Sequence, residues 1–212
     1  MKLFGYWRSS ATYRVRIALA LKGIDYEYEA VDLLAGAQRS DAYLKTNPLG
    51  LVPALEIDDG PALVQSLAIM EYLEEIRPEP SILPGGAADR AAARAIAAMI
   101  ACEAQPFMNI GTQNYLKTEH GFDDAAMVKW LNHAPRDTMA AVEAMVARTA
   151  GDFCVGDAPS IADCCLAPQM FAAARFGVEI ADFKRLHEIN ERCLALPAFE
   201  KAHPKNQPDA PA

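Results

Sequence analysis

Residues 2–23, KLFGYWRSSATYRVRIALALKG, combine a short apolar segment, a polar turn and an amphipathic segment. The residues from Lys2 to Trp7 are rich in aromatic side chains and lack proline, which is typical of a buried strand. Apolar residues then recur at helical spacing from Arg14 to Leu21, and Gly23 suits the left-handed conformation that ends many helices. The sequence therefore predicts a strand that leads through a polar turn into a helix.

Hydroxyl-bearing residues occupy the predicted start of this helix. Ser9, Ser10 or Thr12 is expected to cap it, because serine and threonine oxygens accept hydrogen bonds from the free amides of a first helical turn. The same amides and the positive end of the helix dipole favour an anion, and a nearby hydroxyl can donate a hydrogen bond to a thiolate. Taken alone, these residues fit either a simple helix cap or part of an anion site.

Composition narrows the class of protein. The chain has 212 residues, 52% of them apolar, enough for one large or two small domains. Its net charge is −8 and no basic tract is present, so nothing indicates binding to nucleic acid or to an anionic membrane. No apolar run would span a bilayer and no signal peptide is recognisable, which predicts a cytoplasmic protein. Its five cysteines lack CxxC spacing, and we expect reduced, mostly buried thiols and no metal site.

Further short elements follow the first helix and predict an α/β domain of the form βαβ-ββα. Alternating apolar and acidic residues indicate a half-buried strand, and turn residues separate the later elements. The predicted elements are a strand at 24–31, a short helix at 41–45, strands at 51–57 and 61–64 joined by a turn at 58–60, and a helix at 67–76.

Two details of these elements bear on binding. Pro53 interrupts the predicted strand at 51–57, so it belongs either at a sheet edge or in a cis peptide that exposes the Val52 backbone to a partner chain. Ser66 is predicted to cap the next helix. A ligand carboxylate placed there could receive the Ser66 hydroxyl, the helix amides and the side chain of Gln65.

Prolines and glycines concentrate at residues 77–88 and mark a domain boundary. We expect an α/β domain at residues 1–83 and an all-helical domain at residues 89–212. Alanine-rich and leucine-rich segments predict its helices, and the S-x-x-D sequence at Ser160 to Asp163 predicts a capping box. The predicted helices of the second domain lie at 89–117, 124–149, 161–176 and 183–194.

Short motifs spread over almost the whole chain have an order and spacing that are specific when taken together. They are Arg8-Ser9-Ser10, Arg14 to Ile24, Asn47-Pro48, Val52-Pro53, Gln65-Ser66-Leu67-Ala68-Ile69, Glu71 to Glu75, Gln105-Pro106, Val155-Gly156-Asp157, Ala162-Asp163, Pro168-Gln169 and Gln207-Pro208-Asp209. In these residues the chain resembles the glutathione transferase superfamily, and specifically its zeta class, the maleylacetoacetate isomerases. The resemblance implies a thioredoxin-like domain that binds glutathione, a helical domain that binds substrate, and a homodimer.

The resemblance also implies roles for individual residues. Ser9 would hydrogen-bond the glutathione sulfur and favour the thiolate, Val52 with a cis Pro53 would pair with the cysteinyl unit, and Gln65 and Ser66 would bind the γ-glutamyl carboxylate. The expected glutathione contacts are Ser9, Ser10, Ala11, Thr12, Tyr13, Arg14, Gln38, Val52, Pro53, Gln65, Ser66, Gln105, Asn109, Ile110 and Gly111.

The implied reaction is the cis–trans isomerisation of 4-maleylacetoacetate to 4-fumarylacetoacetate by reversible addition of the glutathione thiolate. Ser9 and Ser10 would act on the sulfur, and Arg8 and Arg175 on the carboxylates and developing charge of a dianionic substrate. Ala11 stands where the family has a cysteine, so an enzyme thiol is not expected to take part. The alternatives are a maleylpyruvate isomerase, a general glutathione transferase, and a noncatalytic glutathione-binding module.

Overall fold

The computed structural model describes residues 1–58 and 60–211 and divides the chain into two compact units. The first unit is Met1–Ile82 together with the end of the chain from Ala195, and the second is Leu83–Leu194. The boundary lies inside the predicted segment at 77–88. The end of the chain differs from the predicted division, which gave it to the helical domain.

The first unit has the predicted βαβ-ββα order around a four-stranded sheet. The strand order is β2-β1-β3-β4, in which β1 is parallel to β2 and antiparallel to β3, and β4 is antiparallel to β3. This mixed sheet confirms the thioredoxin-like prediction. Its elements are β1 (Lys2–Gly5), α1 (Ser10–Leu21), β2 (Glu27–Ala30), α2 (Asp41–Thr46), β3 (Ala54–Glu56), β4 (Leu63–Val64), α3 (Ser66–Ile76) and, at the end of the chain, α10 (Pro197–Ala202).

Helix α1 lies in the centre of this unit, packed against α3 and α10. Its approach to the sheet is close because β1 ends in glycine. A Cβ atom at Gly5 would collide with Cγ2 of Thr12 and would lie 2.9 Å from Cε2 of Tyr28. At the far end of α1, Gly23 has the predicted left-handed conformation with φ +59°.

The end of the chain joins this unit because α1 offers it a polar partner as well as a packing surface. The buried Arg16 donates from Nε to the Ala202 carbonyl oxygen at 3.0 Å. No local pattern indicated that contact. The predicted turn at 58–60 includes Asp59, which lies outside the described residues.

The second unit is helical, as predicted, but two of its predicted helices are interrupted. A π-helical turn at Met99–Ala104 and a 3₁₀ turn at Gln105–Met108 separate the first two helices. Pro106 lies in the 3₁₀ turn, where its missing amide hydrogen removes one hydrogen bond of a continuous α-helix. A second break precedes Pro135. The helices are α4 (Ala87–Ala98), α5 (Ile110–His120), α6 (Asp124–Leu131), α7 (Ala134–Thr149), α8 (Ile161–Phe176) and α9 (Lys184–Leu194).

The capping box predicted before α8 is confirmed. The Asp163 carboxylate accepts from the Ser160 amide at 2.8 Å, and Ser160 Oγ accepts from the Ala162 amide at 3.3 Å. Burial raises the pKa of Asp163, although its hydrogen bonds oppose that shift. All five cysteines are free thiols, and four are buried, in agreement with the prediction. Within residues 1–58 and 60–211, no helix combines the length and the apolar character needed to cross a membrane.

A buried ion pair ties the end of α1 to the segment that follows α3. Lys22 Nζ donates to Glu74 Oε2 at 2.6 Å and to the carbonyl oxygens of Arg77 at 2.6 Å and Pro80 at 3.0 Å. Glu74 also accepts from the Ser81 hydroxyl and from the Ile82 amide. Burial alone would raise the pKa of Glu74, but these hydrogen bonds outweigh it and leave the pKa below its ordinary value of 4.5.

We therefore expect Glu74→Gln to lower the free energy of unfolding by about 2 kcal/mol near neutral pH, because it leaves a buried ammonium without its counter-charge. A carboxylate whose pKa is lowered on folding contributes stability above its unfolded pKa and loses it as the pH falls. The gap between parent and variant should thus shrink below pH 4.5. Chemical denaturation across pH measures this, with the exposed Glu75→Gln on the same helix as the control. Equal stabilities of the two variants would contradict the assignment.

Candidate functional site

Ser9 is the residue that caps α1. Its side-chain oxygen accepts a hydrogen bond from the Thr12 amide at 3.2 Å, and its own amide donates to the Tyr6 carbonyl oxygen at 3.0 Å, which closes the turn between β1 and α1. Of the three candidates predicted from sequence, the structure selects Ser9. A serine hydroxyl has one donor and two acceptor positions, so capping still allows the Ser9 O–H to donate to a ligand.

The other residues at this helix start divide into two groups. Ser10 and Ala11 are half-buried, whereas the side chains of Thr12, Tyr13 and Arg14 are buried. The buried three thus hold the helix in place, and what this helix start can offer an anion is the Ser9 hydroxyl, the half-buried Ser10 and the first-turn amides.

The start of α3 differs from the prediction in a way that matters for the site. Gln65, with φ +70° and ψ 114°, precedes the helix, and Ser66 is its first residue, so the prediction that Ser66 is the cap is wrong. Ser66 Oγ instead accepts from Nη1 of the buried Arg14 at 3.2 Å, which joins the starts of α1 and α3. The physical reason is the positive φ of Gln65, which turns the chain from β4 into the helix within one residue.

Gln65 is the one residue other than glycine with positive φ among residues 1–58 and 60–211. Such a conformation costs a non-glycine residue on the order of 1–3 kcal/mol, and strain of this kind concentrates at functional sites.

The Val52–Pro53 peptide is cis, as one of the two predicted alternatives required. Pro53 does not interrupt a strand, because β3 begins only at Ala54 and the predicted strand at 51–57 is shorter than expected. The Leu51 carbonyl oxygen accepts from the Tyr43 hydroxyl and from the Asn47 amide group, each at 2.7 Å. Burial raises the pKa of Tyr43 to about 12, so its hydroxyl remains a donor. The Val52 backbone is thus held firmly just outside the sheet ladder.

Three predicted site residues of the first unit carry buried side-chain polar atoms that find no hydrogen-bond partner in the described part of the chain: Arg8 Nε, Thr12 Oγ1 and Gln38 Oε1. The guanidinium of Arg8 lies 5.5 Å from the Trp7 ring and 5.7 Å from the Tyr6 ring, beside the turn that carries Ser9. Gln38 lies in a 3₁₀ turn at Ala37–Arg39. Unsatisfied buried polar atoms are uncommon in folded proteins and point to a ligand or to water.

The predicted site residues of the second unit have other local roles. Asn109 caps α5, since its side chain accepts from the Gly111 amide at 2.8 Å, and Ile110 is the first residue of that helix. Gln105 begins the 3₁₀ turn before it. Arg175 is exposed in the last turn of α8, with its guanidinium 4.4 Å from the Phe176 ring.

Sequence reasoning did not predict the contacts that two residues make with the backbone of the Ser9 turn. The backbone of Trp7 is bound by Arg16 and by Asp209. Asp209 belongs to one of the motifs that carry the resemblance, but no role was attached to it. Asp209 lies 202 positions from Trp7 in the sequence, and Arg16 is buried on α1. No local spacing could therefore have indicated either contact.

The fold and the helix-start site of the first unit define a class of protein. The family model for the glutathione S-transferase N-terminal domain matches residues 1–75. That segment contains β1 to β4 and α1 to the last turn of α3, with Ser9, the Val52–Pro53 peptide and Gln65 among its residues.

Full-length relatives give the particular family. A maleylacetoacetate isomerase from Pseudomonas aeruginosa is 45% identical over 100% of both chains. A crystal structure of maleylacetoacetate isomerase from Methylobacterium extorquens AM1, with bound malonate and glutathione, is 42% identical, with a TM-score of 0.95 and 100% of both chains covered. A holo structure of maleylpyruvate isomerase, a bacterial zeta-class enzyme, is 40% identical, with a TM-score of 0.96 over 100% of both chains. The chain belongs to the maleylacetoacetate isomerase family, in the zeta class of glutathione S-transferases.

The strain at Gln65 can be tested directly. We expect Gln65→Gly to be about 1 kcal/mol more stable than Gln65→Ala, because glycine adopts a positive φ without steric cost and alanine does not. The two variants lose nearly the same side chain, so each is the control for the other. Denaturant unfolding measures the difference, and equal stabilities would mean that the Gln65 backbone is not strained.

Proposed function

We propose that this protein catalyses the glutathione-dependent isomerisation of 4-maleylacetoacetate to 4-fumarylacetoacetate, a cis–trans change in tyrosine and phenylalanine breakdown. The observation that carries the proposal is the geometry of Ser9. Its oxygen caps α1 as an acceptor, and its hydrogen can donate to an anion at the positive end of the helix.

Glutathione supplies a nucleophilic thiolate that adds reversibly to the double bond and is regenerated. The protein's part is to hold that sulfur as an anion. A cysteine thiol has a pKa of about 8.5 in water, and donors at a helix N-terminus lower it into the neutral range. Ser9 is the hydroxyl that donates to the sulfur. Ser10 and the amides of Ser10 and Ala11 complete this cradle, because the Thr12 amide donates to the Ser9 side-chain oxygen and the Tyr13 amide to the Ser9 carbonyl oxygen.

The rest of the tripeptide is assigned to residues that the structure holds rigidly. The Val52 backbone, beside Pro53, pairs with the cysteinyl unit, because it lies outside the ladder of β3. The first-turn amides of α3 receive the γ-glutamyl carboxylate with the Gln65 side chain and Ser66, whose hydroxyl can still donate after accepting from Arg14. The unsatisfied oxygen of Gln38 suits the amide near the glycyl end. Gln105 and residues Asn109, Ile110 and Gly111 remain proposed contacts on resemblance to the family.

Arginines are proposed to recognise the substrate. Both isomerase substrates are dianions, and a chain with net charge −8 attracts them only through local cations. Two observations support this role for Arg8: it precedes Ser9 in the same turn, and its buried Nε has no protein partner in the described residues. Arg175 is exposed at the end of α8 and can bind a carboxylate with two parallel hydrogen bonds.

A second candidate is the isomerisation of maleylpyruvate, which requires the same chemistry on a shorter dianion. The holo maleylpyruvate isomerase with a TM-score of 0.96 supports it. In either case we propose a cytoplasmic homodimer, and the exposed side chains of Leu49 and Leu51 give apolar surface for association.

One spectroscopic assay tests the function. Purified protein is given each maleyl ketoacid, with and without glutathione, and isomerisation is followed by absorbance. We expect turnover of maleylacetoacetate only with glutathione, and a loss of roughly 100-fold in Ser9→Ala, because a donor aimed at developing or resident negative charge is removed. The same substitution removes the cap of α1 and should lower the free energy of unfolding by about 1 kcal/mol, which leaves the protein folded in the assay. Faster turnover of maleylpyruvate would select the second candidate. Turnover of neither acid, or equal rates without glutathione, would refute the proposal.

The role of Arg175 gives a separate prediction. Arg175→Ala should lower kcat/KM for the dianion by roughly tenfold to 100-fold while the affinity for glutathione stays close to that of the parent, because a charge-assisted pair with a substrate carboxylate is lost. Arg148→Ala is the matched control, since Arg148 is an exposed arginine in the last turn of α7. Unchanged kcat/KM in Arg175→Ala would remove Arg175 from substrate binding.

A further inference from the structure

The turn that carries Ser9 is held at the backbone of Trp7 by two charged side chains. The Trp7 amide donates to Asp209 Oδ2 at 2.8 Å, and the Trp7 carbonyl oxygen accepts from Arg16 Nη2 at 2.8 Å. The peptide groups on both sides of Trp7 are therefore fixed, two residues before Ser9. Ser9 itself is linked to this turn, because its amide donates to the Tyr6 carbonyl oxygen at 3.0 Å.

Asp209 reaches this position from the end of the chain. Its Oδ2 accepts a second hydrogen bond, from the Tyr28 hydroxyl at 3.2 Å. Burial, and after it the charge of Asp209, raises the pKa of Tyr28, so the hydroxyl keeps its hydrogen and remains a donor. The other carboxylate oxygen, Oδ1, is buried and finds no hydrogen-bond partner among residues 1–58 and 60–211.

Attaching the end of the chain to this unit does not by itself require a carboxylate at residue 209. Asp209 is half-buried, and a carboxylate with one buried oxygen that lacks a hydrogen-bond partner in the described residues is unfavourable. The segment is also stabilised by internal hydrogen bonds that do not involve the Ser9 turn. Asn206 Nδ2 donates to the Glu200 carbonyl oxygen at 2.7 Å, and Gln207 Nε2 donates to the His203 carbonyl oxygen at 3.0 Å. The distinctive contact of Asp209 is therefore the one with Trp7.

We propose that Asp209 is a positioning residue for Ser9: by fixing the Trp7 amide it sets the turn from Tyr6 to Ser9 and hence the direction of the Ser9 hydroxyl. Arg16 completes the clamp by holding the Trp7 carbonyl oxygen and, through Nε, the Ala202 carbonyl oxygen. The role of Asp209 in catalysis rests on the proposed function, in which Ser9 contacts the glutathione sulfur. Docking of the last residues then becomes a condition for a well-aimed thiolate donor.

The direct readout is the pKa of the glutathione thiol in the binary complex, measured from the ultraviolet absorbance of the thiolate during a pH titration. Asp209→Ala should raise this pKa by about one unit and lower kcat near neutral pH by roughly tenfold, because one directed hydrogen bond to sulfur is weakened. KM for glutathione should change by less than about twofold, since the carboxylate and cysteinyl contacts are untouched.

Matched variants separate positioning from simple loosening of the end of the chain. Asn206→Ala removes a hydrogen bond inside the same segment that does not involve the turn, and the bound thiol should keep the parent pKa. Asp209→Asn retains an acceptor oxygen but loses the charge, so it should raise the pKa in the same direction by a smaller amount. If Asp209→Ala does not fold, Asp209→Asn decides alone: a raised pKa supports the proposal and the parent value overturns it.

Ser9→Ala separates the proposed sulfur contact of Ser9 from the proposed positioning role of Asp209. A raised thiol pKa in Ser9→Ala with the parent value in Asp209→Ala would overturn the positioning role and leave the sulfur contact intact. The parent value in both variants would overturn both assignments. An equal rise in Asn206→Ala and Asp209→Ala would also refute the proposal, because any loosening of the segment would then suffice.

Discussion

The hydrogen bond from the Thr12 amide to the Ser9 oxygen is the constraint on which the rest of this site depends. It fixes where α1 begins, and it does so through an acceptor position of the hydroxyl. Ser9 can therefore cap the helix and donate to a ligand at the same time, because its hydroxyl hydrogen is not used when its oxygen accepts from the Thr12 amide. β1 and α1 approach closely at Gly5, where a Cβ atom would collide with Thr12, so this cap lies next to a tightly packed contact between strand and helix.

Much of the first unit could be predicted because its elements follow from local patterns. Helical and alternating periodicities predicted the order of strands and helices, and hydroxyl residues before an apolar run predicted that Ser9, Ser10 or Thr12 caps α1, among which the structure selects Ser9. Ser66 shows where such reasoning fails. A serine before a helix is usually a cap, but the positive φ lies at Gln65, and glutamine carries no signal for that conformation. The N-cap position is therefore Gln65, one residue earlier, and the Ser66 oxygen accepts a hydrogen bond from Arg14.

The remaining errors have two physical origins. Two predicted helices of the second unit are too long because apolar periodicity gives no signal of the π-helical and 3₁₀ turns at 99–108 or of the break before Pro135. Proline alone does not decide such a break, since Pro168 lies inside α8. The place of the last residues was missed for a different reason. Asp209 and Trp7 are 202 positions apart in the sequence. Their pairing therefore depends on tertiary packing, and no local sequence pattern indicates it. The zeta-class motifs contained Asp209 but could not say what it touches.

Within the first unit, acidic residues in the first turn distinguish α2 and α10, to whose starts we assign no ligand, from α1 and α3, to whose starts we do. In the first unit, α2 and α10 each carry an acid in their first turn, Asp41 and Glu200, whereas α1 and α3 carry none. An acid in the first turn neutralises the positive end of the helix and would repel a second anion. Its absence from α1 and α3 leaves both helix starts suited to the two negative groups of glutathione that we assign to them, the thiolate at Ser9 and the γ-glutamyl carboxylate at Ser66. In α8 the acid of the first turn is Asp163, whose carboxylate accepts a hydrogen bond from the Ser160 amide. The positive end of this helix is therefore already neutralised by a residue of the protein, and it is not suited to bind an anionic ligand.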